Sequence, residues 1–374
     1  MCRVTIKVKV SEIPKLKHIS KSYSDAVKFA LDKCFEHSPK SKFTLHHIVY
    51  KDIRKLFNLK SQFAINAIAQ SFETYKSTIE LDKVKPVMKK CNLVFDRRLA
   101  SFKWGSIRIA TNEKRIDIPL NIAKYYAKYS DWKFQVAELI SDWKGRYFFH
   151  ITLSKDVAIS NSNTTQTVVG VDVGVRNLAV TSNGQIFKAY RTKFNQYTWL
   201  RRKLQRKGTK SAKHKLKTMR NRWQRFMRHI NHCVSKEIVK SGDCFALEDL
   251  TNIRKRTTSK YRKSKKRNRW LSNWSFRQLQ TMIDYKSRMS GKVVKYFNPY
   301  KTSTICSNCL NDGFRFRDMF FCPHCKSTLD ADQNASYNLR RLFVNQPIVP
   351  THCQEQSISK TVKPHDLACG IGFA

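Results

Sequence analysis

The chain has 374 residues, 41% of them hydrophobic, with 73 Lys+Arg against 27 Asp+Glu and a formal net charge of +46. That length and apolar content exclude a wholly disordered chain and leave room for two or three domains with their own cores. The charge points to polyphosphate, since each cation that neutralises a phosphate releases condensed counterions. An anionic membrane surface is disfavoured, because there is no lipidation motif, no apolar run near about 18 residues and no basic amphipathic terminus.

The opening residues, MCRVTIKVKV, alternate as a strand does and contain no apolar core of signal-peptide length. Eleven cysteines without an export signal fit a reducing compartment, where paired cysteines bind zinc rather than build disulfides. From about Ser22 to Asp82 apolar residues recur three and four apart, as in DAVKFALDKCF and SQFAINAIAQSFETY, and predict helices. Strand patterns return between Cys91 and Ser154, in RLASFKW, SIRIAT, RIDIPL, FQVAELI and YFFHITL. The first strand needs these later ones as partners. Residues 1–21 and 83–160 are therefore expected to form an all-β module, with residues 22–82 as a helical insertion. The polar stretch SNSNTTQ, Ser160 to Gln166, marks a domain boundary.

Beyond it, TVVGVDVG predicts a buried strand, and RNLAVTS and QIFKAY flank Asn183-Gly184, a strong hairpin signal. Arg191 to Lys240 reads as helical with a break near Gly208. Leu216, Met219, Trp223, Phe226, Ile230, Val234 and Ile238 recur at about 3.5 residues, so two antiparallel helices are expected to pack along that seam. DCFALEDL (Asp243 to Leu250) predicts a second buried strand, Ser275 to Arg288 a helix, KVVKYF (Lys292 to Phe297) a strand, and ADQNASYNLRRLF a last helix. Strand, hairpin, helix, strand, helix, strand, helix is the order of an RNase H-like domain, here residues 165–300 and 327–344. A cysteine-bearing segment, residues 301–326, is inserted before the last helix. Residues 345–374 show no period and are expected to be disordered.

Cys306, Cys309, Cys322 and Cys325 form Cys-x2-Cys-x12-Cys-x2-Cys, two knuckles that predict tetrahedral thiolate ligation of one structural Zn²⁺. His324 offers a further ligand that four cysteines make unnecessary. Knuckles often carry glycine just after the second cysteine, where positive φ is convenient; here those residues are Leu310 and Lys326.

Three carboxylates stand out: Asp172 at the end of VVGVD, Glu248 at the end of FALE, and Asp332 at the start of the last helix. Separately, Asp332 reads as a helix cap and the other two as strand ends in solvent. Jointly they hold the positions where an RNase H-like sheet gathers acids at one edge, and there they can bind two Mg²⁺ ions for phosphodiester hydrolysis. Asp249, one residue on, faces the opposite side of its strand, and Asp330 suits a helix cap.

From Val173 to Lys236 there is no Asp or Glu, and IRKRTTSKYRKSKKRNR follows Glu248 directly. Arg254, Lys255, Arg256, Arg262 and Lys263 in this tract are expected to grip nucleic acid beside the acids, rather than to serve as a nuclear-import signal. Trp199, Trp223, Tyr261, Trp270 and Trp274 are interleaved with the cations and suit base stacking, although Trp223 has helical spacing and fits a core.

GVDVGVRNLAV, ALEDL, STICSNC with CPHC, and DADQNASYNL resemble, in order and spacing, the RuvC-type signature of the TnpB family, and WSFRQLQTMIDYKS resembles its core. The match covers about residues 165–343; the amino-terminal half is similar only in layout and in SQFAINAIAQSF. The resemblance implies an α/β multidomain protein, a RuvC nuclease domain with an inserted zinc ribbon, preceded by a wedge-like β-barrel module carrying the helical insertion. It implies an RNA-guided DNA endonuclease that carries an RNA from a transposon end and cuts double-stranded DNA beside a short motif. Asp172, Glu248 and Asp332 would take the family's catalytic, magnesium-binding positions and the four cysteines its zinc positions. The expected location is cytoplasmic, at the nucleoid, in a prokaryote and nuclear in a eukaryote. Ser336 stands where a second alanine is usual. The competing readings are a catalytically silent RNA-guided repressor, a strand-transfer transposase and a small type V CRISPR effector.

Overall fold

The structure is a computed structural model that describes residues 1–158 apart from 89 and 143, 166–251, 253, 275–298 and 302–345. Arg254, Lys255, Arg256, Arg262, Lys263, Tyr261, Trp270 and Trp274, most of SNSNTTQ, and the tail from 346 onward lie outside the described residues. The chain divides after Asp156 into two compact units. Among the described residues no helix is long and apolar enough to cross a membrane.

The first unit contains strands β1 (Cys2–Val10), β2 (Leu93–Asp96), β3 (Ala100–Lys103), β4 (Ser106–Ile109), β5 (Ile116–Pro119), β6 (Lys133–Ser141) and β7 (Tyr147–Lys155). They form two sheets, ordered β1-β7-β6-β2 and β3-β4-β5. Alternation does what the sequence predicts: Ile6, Val8 and Val10 turn inward while Lys7 and Lys9 face water. β1 finds its partner in β7, with Ile6 opposite Ile151. Three helices intervene, α1 (Pro14–His37), α2 (Lys42–Phe57) and α3 (Ser61–Glu80). The first begins at Pro14 rather than near Ser22, because the apolar period runs back through buried Leu16 and Ile19 and proline is at home in a first turn. Ser41 caps α2 through the Thr44 N–H. Ser71 on α3 donates to the Val27 carbonyl of α1 at 2.9 Å, tying those helices together.

The second unit is built on one sheet, β10 (Ile186–Lys188), β9 (Asn177–Thr181), β8 (Val168–Asp172), β11 (Cys244–Glu248) and β12 (Val293–Phe297), in that order. β8–β9 and β9–β10 are antiparallel, whereas β8–β11 and β11–β12 are parallel. Gly184, at φ 84°, makes the expected turn between β9 and β10. The helical stretch after β10 breaks twice, giving α4 (Arg191–Lys207), α5 (Lys210–Met219) and α6 (Arg222–Lys240). One break is at Gly208, and the other is at Asn221, whose φ is 62°. The second interrupts the predicted seam. Its later part, Trp223 to Ile238, does not line a helix pair alone: with α7 (Phe276–Met289) it covers Val169, Val171, Phe245 and Leu247 on one face of the sheet.

The other face carries α8 (Ala331–Val344), whose Leu339 and Phe343 pack on Cys244, Ala246 and Phe297. Fully burying each such apolar side chain contributes up to about 1.5–3 kcal/mol. Gly170 on β8 lets the helix come this close: a Cβ there would sit 1.9 Å from the Ser336 carbonyl oxygen and 2.6 Å from the Arg340 nitrogen. Both atoms are helix backbone and cannot swing away. Gly170→Ala should therefore destabilise the unit by roughly 2–3 kcal/mol or more, read as a lower urea midpoint.

Between β12 and α8 lie a hairpin, β13 (Phe314–Phe316) and β14 (Met319–Phe321), and a third strand, β15 (Thr328–Asp330). The hairpin occupies the x12 spacer between the two knuckles, as its length allows.

Candidate active site

Strand alternation decides where the acids go. Val169, Val171, Phe245 and Leu247 face α6 and α7, so Asp172 and Glu248, one residue beyond Val171 and Leu247, turn to the α8 side. Val171 and Leu247 are register partners on parallel strands, which brings the two carboxylates to the same sheet edge. Asp332 arrives there from the first turn of α8. Asp330 is the helix cap, its carboxylate accepting from the N–H groups of Asp332 and Gln333, which leaves the Asp332 side chain available. Asp249 turns aside to accept from the Thr251 N–H at 2.9 Å.

The electrostatics are those of crowded anions. Burial, then the Glu248 and Asp332 carboxylates, push the Asp172 carboxyl well above the usual carboxylate range, and Arg315 opposes them. Burial also raises Glu248, against the Thr302 hydroxyl and Arg315. Three hard oxygen donors with one guanidinium among them leave an excess of negative charge, which suits a divalent cation of the magnesium class.

Several residues that complete this site were not singled out from the sequence. Arg315, on β13, donates from Nη2 to Asp332 Oδ1 at 3.1 Å. Asn177 Nδ2 donates to Asp332 Oδ2 at 3.0 Å, and Thr302 Oγ1 to Glu248 Oε1 at 2.5 Å. Buried Gln280 on α7 fixes the end of β11 by donating to the Glu248 carbonyl at 2.7 Å. Spacing gives no signal for these contacts, because each joins segments distant in sequence.

The four cysteine sulfurs lie within 4.8 Å of one another. Cys306–Cys325 and Cys309–Cys322 approach to 3.6 and 3.4 Å. A disulfide would need about 2.05 Å, whereas tetrahedral ligation at about 2.3 Å per bond sets sulfurs near 3.8 Å apart. The donor set fits zinc. Leu310 and Lys326 do adopt the left-handed conformation, at φ 70° and 56°, so the knuckles form without their usual glycines at a cost of roughly 1 kcal/mol each. Leu310 is 53% exposed and loses little packing if truncated. Leu310→Gly should raise the stability of the ribbon by up to about 1 kcal/mol, seen as slower zinc loss to a colorimetric chelator.

The ribbon is tied to the elements that carry the acids at three points. Asn334 on α8 accepts from the Ser307 N–H and donates to the Ile305 carbonyl, Asn338 donates to the carbonyls of Thr302 and Ile305, and Arg176 pairs with Asp318 at the hairpin tip. Elsewhere, Trp223 packs into the core as its spacing suggested, while Trp199 is exposed with Lys203 Nζ 5.2 Å from its ring centroid.

A family model described as a Cas12f1-like TNB domain matches residues 276–339, and one described as a probable transposase matches residues 150–257. The chain is 28% identical over 291 residues to the TnpB-like protein MJ0751 of Methanocaldococcus jannaschii, covering 70% of this chain and 99% of that protein. It is 33% identical over 132 residues to the CRISPR-associated endodeoxyribonuclease Cas12f1 of Sulfoacidibacillus thermotolerans, covering 33% of this chain and 29% of that one. A Cas12f1–sgRNA–target DNA complex solved by cryo-EM contains a chain that shares the fold, with a TM-score of 0.59 at 14% identity over 87% of this chain and 82% of that chain.

Proposed function

Because the chain belongs to the TnpB family, we propose that it is an RNA-guided DNA endonuclease that hydrolyses target phosphodiesters at Asp172, Glu248 and Asp332. The observation that carries this reading is the convergence of those three acids, from two parallel strands and a helix start, with Arg315 among them. The sheet order, an antiparallel hairpin beside three parallel strands, supports an RNase H-like, RuvC-type nuclease domain. The relatives' names and the nucleic acids in the Cas12f1 complex support RNA and DNA as partners. The first unit, taken as the wedge-like barrel with its helical insertion, is assigned to the guide RNA and the target-adjacent motif. The guide itself is assigned to RNA from a transposon end.

Magnesium ions held by Asp172, Glu248 and Asp332 would supply Lewis-acid activation of water and of the leaving oxygen. The chain supplies the rest. The sheet edge fixes two acids rigidly, and α8 delivers the third. Arg315, carried by the zinc-braced hairpin, brings a planar cation suited to a phosphate oxygen to the Asp332 carboxylate. The +46 charge draws the polyanion in.

The test is to purify the protein with its co-expressed flanking RNA and offer it guide-matched DNA, a randomised adjacent motif and Mg²⁺. Guide-dependent double-strand cuts are the expected result. Guide-dependent binding without cutting would make it a repressor, and joining of transposon-end DNA would make it a strand-transfer transposase.

A further inference from the structure

Asp332 and Glu248 are each held by a neutral donor, and neither donor has a role in the reading above. Thr302 is 4% exposed and directs its hydroxyl to Glu248 Oε1 at 2.5 Å. It is held in place from behind: Asn338, itself buried on α8, donates to the Thr302 carbonyl at 2.9 Å. Asn177 opens β9 and directs its amide to Asp332 Oδ2 at 3.0 Å. Gly174 packs beside this pair: a Cβ there would lie 3.0 Å from the Asn177 carbonyl oxygen, a tight approach, and 3.8 Å from Asp332 Oδ2, an ordinary contact.

The chemistry of the donors matters. A carboxylate on two or three free torsions samples several rotamers, and binding a divalent ion would first have to select one. A lysine would select one too, but it would also neutralise charge that attracts the ion, and Asp332 already meets one cation, Arg315, at Oδ1. A hydroxyl or an amide orients the carboxylate and leaves its charge in place. We propose that Thr302 and Asn177 are positioning residues for the divalent-ion acids, Thr302 setting Glu248 through Oε1 and Asn177 setting Asp332 through Oδ2. This rests on the nuclease reading of the acids. It also gives Thr302, just ahead of Cys306, a job distinct from the zinc ribbon it introduces.

The test uses the full-length chain, Mn²⁺ as the probe ion in calorimetry, and single-turnover cleavage by the guide-loaded protein. The Mn²⁺ heat lost in Asp172→Ala defines the site. Thr302→Val, which keeps shape but loses the hydroxyl, and Asn177→Ala should each weaken that binding by about 10- to 100-fold. The Mg²⁺ concentration for half-maximal cutting should rise in step, with the DNA concentration dependence unchanged. Thr302→Ser should stay within about threefold of the wild type, because it restores the donor. Zinc should remain at one per chain throughout. Unchanged Mn²⁺ affinity in Thr302→Val and Asn177→Ala would overturn the proposal, as would loss of zinc from Thr302→Val, which would make that residue part of the ribbon. If Asp172→Ala itself keeps both Mn²⁺ binding and cutting, the acid site has been misassigned and the positioning role falls with it.

Discussion

Replacing Asp172 with alanine should abolish guide-dependent cleavage, by roughly 10⁴-fold or more, while guide RNA binding stays at the wild-type level. The expectation follows from where Asp172 sits. It ends the central strand of the sheet, where burial and then the Glu248 and Asp332 carboxylates push its carboxyl well above the usual carboxylate range. The loss should be chemical and not structural. A carboxyl raised in the folded state contributes stability below its unfolded value, near 4, and that contribution disappears as pH rises through the folded value. Removing the charge therefore relieves the cost of a buried anion, and its repulsion by the other two acids, at neutral pH. In metal-free buffer Asp172→Asn should melt above the wild type at pH 8, and the gap should close near pH 4. A variant that melts below the wild type at pH 8 would mean that the anions are not crowded as described, and wild-type cutting by Asp172→Ala would remove the residue from the mechanism.

Cys322→Ser should lower cleavage by at least about 100-fold and leave guide RNA affinity within about threefold. Cys322 is fully buried among the four sulfurs, and serine is a poor zinc ligand, so the variant should retain less than one zinc per chain. The ribbon does more than hold itself together. Its hairpin carries Arg315 to Asp332, the segment that leads into it carries Thr302 to Glu248, and Asn334 and Asn338 lock that segment to the helix that bears Asp332. Without zinc all three relations loosen together. Zinc content by plasma emission, filter binding of the guide and single-turnover cleavage would be measured on one preparation. Undiminished cleavage in a zinc-free variant would show that the ribbon is dispensable for the chemistry.

The parts legible in the sequence are those that local chemistry writes in one place. Two Cys-x2-Cys pairs announce a metal, Asn183-Gly184 announces a hairpin, and apolar runs ending in Asp172 and Glu248 announce buried strands with acids at their ends. What periodicity cannot give is the surface that an apolar stripe meets. The stripe from Trp223 to Ile238 was equally suited to another helix or to a sheet, and the sheet claimed it. Arg315 was hidden for a related reason. In the spacer between knuckles it looks like one more cation among many, and only the hairpin's register turns it toward Asp332 while its neighbours Phe314 and Phe316 point away from it. The left-handed Leu310 and Lys326 carry the opposite lesson: absent glycines did not alter the backbone, they only made it dearer.

The placement of Asp332 on the last described helix gives the site a history as well as a geometry. During synthesis Asp332 leaves the ribosome about 160 residues after Asp172, roughly 10–30 s later at ordinary elongation rates. Until α8 emerges and settles against Gly170, one face of the sheet around Cys244, Ala246 and Phe297 lacks its cover and the sheet edge holds only two of its acids. A message cut short before that point, or a gene that has lost its 3′ end, would yield a chain that retains the surfaces assigned to nucleic acid but lacks the complete acid site. On this arrangement a single late truncation removes the third acid and the cover of one sheet face together.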